Sequence, residues 1–103
     1  MTKIAVGSYI ISRGRDSGVH AGVLESIDGS VVVLSDARRL WSWRAAGHTH
    51  TLSGVATNGL AKGSQIPPSV KVVRITDSCE QILCSQKAEQ SIREFPVHRG
   101  EYS

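Results

Sequence analysis

The chain has 103 residues, 12 of them basic and 9 acidic, for a formal net charge of +3. That length holds one domain with one core. It excludes a membrane-spanning helix, because no stretch nears the ~20 apolar residues such a span needs, and it shows no Lys/Arg run of the kind found in disordered nucleic-acid tails.

Eight of the 12 basic residues are Arg, whose planar fork of donors matches phosphate and carboxylate. So mild an excess also serves solubility alone. The N-terminal stretch Met1 to Gly7 lacks the apolar segment of a secretory signal, so the expected location is the cytoplasm, with thiols reduced. Cys79 and Cys84 lie five apart, on opposite faces if they share a strand, which argues against a disulfide between them.

In chain order, residues 5–12 carry the run Tyr9-Ile10-Ile11 and read as a first strand. Arg13-Gly14-Arg15-Asp16-Ser17-Gly18 reads as a loop. Val19 to Ile27 alternates as a second strand, and Asp28-Gly29 closes a two-residue hairpin. Ser30 to Leu34 is a third strand, buried on both faces through Val31-Val32-Val33. Asp36 marks a bulge or corner, and Ala37 to Arg44 alternates as a fourth strand. Gly47-His48-Thr49-His50 is a loop. Thr49 or Thr51 caps a short helix over residues 52–58, which Asn58-Gly59 stops. Pro67-Pro68 enforces an extended approach to a fifth strand, 70–76. Asp77-Ser78 splits it from a sixth, 79–84. Ser85 caps a second helix through Arg93, ended by Phe95-Pro96. Residues 1–97 form the single domain and 98–103 a loose tail. The expected fold is α+β and mostly β, a small rolled sheet or partly open barrel of about six short strands with two short helices.

Three constellations could carry chemistry. In a strand over 38–44, Arg39, Trp41 and Trp43 share one face, and Arg38, Leu40, Ser42 and Arg44 take the other. Two indoles beside a guanidinium make a stacking platform with a cation at its edge, suited to a nucleobase joined to phosphate. The plainer reading, which the needs of a small core favour, makes both indoles core anchors. In the loop 13–18, glycines free backbone N–H groups to face an anion that Arg13 and Arg15 could clamp, with Ser17 beside them. The plainer reading there is an exposed turn. His48-x-His50, with His20, His98 and the cysteines, lacks the spacing of a zinc site, so no metal and no cofactor is expected. No Gly-x-Ser-x-Gly elbow occurs, and no pair of carboxylates is placed for acid–base work, so no enzyme is expected.

Ser17-Gly18-Val19-His20-Ala21-Gly22, Ala37-Arg38-Arg39-Leu40-Trp41-Ser42-Trp43, Thr51-Leu52-Ser53 with Ala56 and Gly59, and Cys84-Ser85 through Ala88 to Ser91-Ile92 together resemble a family of small phage and prophage proteins of unknown function. The likeness spans about residues 9–92. It departs at Gly47-His48-Thr49-His50, a short extension, and at Ser17-Gly18, where the family has Ala-Gly. The family is similar in size and host context to phage anti-defence sponges, which sequester cyclic-nucleotide or cyclic ADP-ribose signals. The resemblance therefore implies a homo-oligomer that binds a small anionic nucleotide without catalysis, with pockets between subunits and His20, Arg38, Arg39, Trp41, Trp43 and Arg44 at stake. Two other functions stay open: a single-stranded nucleic-acid binder, disfavoured by the weak charge excess, and an inhibitor module docking on a host enzyme through Trp and Arg anchors.

Overall fold

The computed structural model describes residues 4–48 and 50–98, and the side chain of His48 lies outside the described set. Five antiparallel strands form one sheet in the order β4-β3-β2-β1-β5: β1 Tyr9–Gly14, β2 Gly18–Asp28, β3 Val31–Arg39, β4 Val70–Ile75 and β5 Ser78–Leu83. A 3₁₀ turn over Ala46–His48, helix α1 (Leu52–Asn58) and helix α2 (Gln86–Glu94) complete the described elements.

The two edge strands are consecutive in the chain, joined only by Thr76 and Asp77. So short a connection between opposite edges forces the sheet to curl until those edges meet at one end. Ser30 fastens that end, its hydroxyl donating to the Thr76 carbonyl and its own carbonyl accepting from Ser78 N–H. β4 and β5 share no ladder, so the roll stays open.

A rolled sheet buries both faces, which is why β1 reads Tyr9-Ile10-Ile11-Ser12 without polar alternation and all four residues are buried. On one face Ile10, Leu24, Val32, Leu34, Ala37 and Ile75 pack together. On the other, Tyr9, Ile11 and Ala21 meet Leu40, Ile66, Val55 and Ala56 of α1, and Ile92 of α2. Each such aliphatic side chain contributes ~1.5–3 kcal/mol by leaving water.

Both helices start where the sequence places their caps. The Thr51 hydroxyl accepts from Gly54 N–H and the Ser85 hydroxyl from Ala88 N–H, each satisfying an orphan donor of the first turn. Ser85 also donates to the Thr57 carbonyl and so ties the start of α2 to the end of α1.

Six strands were expected and five are found. The fourth expected strand, Ala37 to Arg44, divides. Its first residues prolong β3 past a bulge at Asp36, where φ is +50° and the pairing with β2 shifts register between Ala21 and Val23. The bulge needs a glycine opposite it. A Cβ on Gly22 would lie 2.9 Å from the Ser35 carbonyl oxygen and 3.1 Å from Ala37 Cα. After Leu40, whose N–H still donates to the Val19 carbonyl of β2, the chain leaves the sheet and makes isolated bridges from Ser42 to Gln65 and from Ala45 to Leu60. β1 also starts four residues later than expected and absorbs Arg13 and Gly14, which the sequence assigns to the loop. His98, expected in the tail, is fixed to the body: its N–H donates to the Ile66 carbonyl and its ring lies against Trp41.

Candidate functional site

The glycine-bearing loop after β1 does hold a carboxylate, and the carboxylate is the protein's own. Asp77, in the β4–β5 connector, accepts from the N–H groups of Asp16 and Ser17 and from the Ser17 hydroxyl. The Ser17 hydroxyl, then these backbone donors, hold the Asp77 carboxyl below the usual carboxylate range. Convergent donors of this kind form an anion nest, here filled from within. Arg13 pairs with Glu80 at 2.9 Å on the exposed β1–β5 surface, and Arg15 is exposed. Arg13 and Ser17 thus have partners within the chain, and Arg15 is held only through its backbone N–H, which donates to the Asp77 carbonyl.

The Arg38–Arg44 stretch, expected to form two alternating faces, is distributed over separate surroundings because it leaves the sheet. Arg38 is 4% exposed. Its guanidinium donates to the carbonyls of Pro67, Ile92, Phe95 and Ile66 at 2.8–3.0 Å. It thereby fastens the 66–67 segment and the C-terminal end of α2 to the sheet, where the partial negative charge of the helix end suits a cation. It also borders a hollow of about 280 Å³ with Tyr9, Asp36 and Arg93. Arg93 lies 4.8 Å over the Tyr9 ring and bridges Asp36 and Glu89. The Tyr9 hydroxyl is buried without a partner among the described residues, and burial pushes its pKa up.

Trp41 is 63% exposed, its ring centroid 5.7 Å from that of His98. Trp43 is half-buried against the helix-side core. Arg39 is exposed and stands opposite His20 in the β2–β3 ladder, and the two border another hollow. The expected platform of Arg39, Trp41 and Trp43 is thus not assembled as one strand face.

Another grouping is assembled. Trp43, Arg44, His50 and Lys62 surround one hollow of about 330 Å³ beside Ala45, Gly47 and Ala61, with no acidic residue among the described residues of its wall. The backbone builds it. Ala61 N–H donates to the Arg44 carbonyl at 2.7 Å and Arg44 N–H to the Ser64 hydroxyl at 2.9 Å, while the Ala45–Leu60 bridge clamps the other side. An indole edge among three basic side chains can hold a planar, negatively charged molecule, the ring by stacking and the charge by fork-shaped hydrogen bonds. Of its four side chains with chemistry, Trp43 and Arg44 were singled out in the sequence. His50 was weighed only as a zinc ligand and Lys62 only as part of a loop. The cross-chain bridge that joins 44–45 to 60–61 has no local signature.

Among the described residues, no group of three or more His, Cys, Asp or Glu could hold a metal ion. Both cysteines are free, and burial raises the Cys84 thiol to about 12, which keeps it protonated and unreactive. No helix among the described residues is long and apolar enough to cross a membrane.

The sequence model of one family matches residues 7–92, and that family is described as a domain of unknown function (DUF6948). No curated protein and no solved structure matches the chain.

Proposed function

The chain belongs to that family of unknown function, and from this premise we propose that it is a binding protein that sequesters a small anionic nucleotide without turning it over. One observation carries the reading: Trp43, Arg44, His50 and Lys62 line a single hollow that has no carboxylate among its described residues. Its volume, about 330 Å³, falls at the lower end of the range for small-molecule sites, ~300–1,000 Å³. A base stacked on an aromatic side chain contributes ~1–3 kcal/mol. The Arg44 and Lys62 cations supply the phosphate contacts, and neither has an ion-pair partner among the described residues. The resemblance to phage and prophage proteins supports sequestration of a bacterial defence signal, a cyclic oligonucleotide or cyclic ADP-ribose isomer, in the host cytoplasm.

The test is thermal unfolding against a panel of cyclic di- and trinucleotides and cyclic ADP-ribose isomers. A true ligand at one hundred times its dissociation constant stabilises the fold by about 2.7 kcal/mol. The Arg44→Ala, Lys62→Ala double variant changes only surface side chains and is expected to fold normally and lose the shift. No response from any panel member, or an equal shift in the double variant, overturns the reading.

A further inference from the structure

A hollow of different character lies against β2 and β3. His20 on β2 and Arg39 on β3 are direct cross-strand partners, and they border a space of about 230 Å³ whose remaining wall is apolar, from Ala37, Pro67, Val70 and Val73 among others. His20 is 4% exposed, and Nδ1 is sealed from solvent without a hydrogen-bond partner among the described residues. Nε2 makes no hydrogen bond to a described residue and, unlike Nδ1, is reached by solvent. Buried imidazoles ordinarily bond through at least one nitrogen, which fixes the ring. Arg39, at the rim, has no ion pair among the described residues. Burial first, then the Arg39 charge, pushes the His20 pKa down against an opposing pull from the Asp77 carboxylate.

An uncommitted polar group nine-tenths buried, an unpaired cation at the mouth and an apolar wall between them make a recognition surface for one kind of molecule. We propose that this hollow is a second binding site, for a small organic anion whose charged head pairs with Arg39 and accepts a hydrogen bond from the His20 imidazole, and whose apolar body lies against the proline and valine side chains. The head is a carboxylate or a phosphate, since both accept from the guanidinium fork. The body is a short alkyl chain or a single ring, which the proline and valine side chains cover. The site is independent of the hollow at Trp43, sharing none of its lining residues.

The experiment is an NMR titration that follows the His20 imidazole nitrogens and the Val70 and Val73 methyl groups. Benzoate and phenyl phosphate present head and body together and differ in the head. Benzyl alcohol presents the body alone, and inorganic phosphate and acetate the head alone. Saturable shifts are expected from benzoate, phenyl phosphate or both, and not from the partial probes. Arg39→Gln changes an exposed side chain and is expected to weaken binding about tenfold, or about 1.4 kcal/mol. His20→Phe keeps a flat ring without nitrogens and is expected to abolish it. Arg44→Ala, Lys62→Ala leaves it unchanged, so this site and the nucleotide site stand or fall separately. Unmoved His20 signals with every probe, equal affinity in Arg39→Gln, or equal response to acetate alone overturns the proposal.

Discussion

Asp77 and Arg38 show how much of this chain's apparent ligand-binding chemistry is spent on itself. Asp77 is the anion that the glycine loop was built to hold. Its folded pKa is depressed, by the Ser17 hydroxyl foremost, so the unfolded chain binds protons more readily than the folded one as pH drops. The stabilisation is then fully present above the unfolded value, ~3.9, and is lost as pH falls below it toward the folded value. Asp77→Asn is therefore expected to melt below wild type at pH 7, with the gap closing below about pH 4. Thermal unfolding of both proteins across that range checks it, and a gap independent of pH would contradict the assignment. Arg38 is the cation counterpart. Removing its guanidinium leaves the Pro67 and Phe95 carbonyls without a donor among the described residues, and leaves the Ile66 and Ile92 carbonyls only the backbone N–H groups of His98 and Phe95. Arg38→Leu is expected to cost about 3–5 kcal/mol in denaturant unfolding. Arg38→Lys is expected to recover little of it, since an ammonium cannot span a planar fan of acceptors.

At the scale of elements, the bulge at Asp36 and the contact between helices decide the layout. The bulge turns Arg38 inward toward α2 and ends the alternation on which the expected platform rested. A strict period of two holds only along an uninterrupted strand, and Asp36, noted as a corner, gave the one local hint that it would fail. The helices meet at Gly59. Its φ is +91°, and a Cβ there would sit 2.5 Å from both the Cβ and the hydroxyl oxygen of Ser91. That hydroxyl accepts from Leu60 N–H, so the clash cannot be relieved without losing a bond. Gly59→Ala is expected to destabilise by about 2–3 kcal/mol through backbone strain and overpacking together. Gln90→Ala on the exposed side of α2 is expected to stay within about 0.5 kcal/mol. Chemical denaturation of the two variants separates these outcomes.

For the whole molecule, the class of fold was legible and the site only in part. Dense β-branched runs, the hairpin at Gly29 and the two hydroxyl caps act through local physics; the caps stand where the sequence puts them, while the two-residue turn is Gly29-Ser30 rather than Asp28-Gly29, because Asp28 still pairs with Val31. The curl of the sheet follows from one short connector, Thr76-Asp77, whose meaning depends on strand order and so on contacts remote in sequence. The same holds for the hollow at Trp43. Trp43 and Arg44 stand out by type, but Lys62 joins them only because the chain returns alongside through the Ala45–Leu60 bridge. A radius of gyration of 12.8 Å is near the ~13 Å of a 100-residue domain, so the hollows among the described residues are surface features of one roll.

Because the two tryptophans occupy different surroundings, fluorescence can report on the proposed nucleotide site directly. Trp41→Phe leaves Trp43 as the sole indole in the chain, and titration with the panel ligand that stabilises the wild type is expected to quench its emission saturably. Trp43→Phe, which leaves only the exposed Trp41, is expected to show no saturable change. Quenching that persists in Trp43→Phe and vanishes in Trp41→Phe would place the ligand elsewhere and contradict the account.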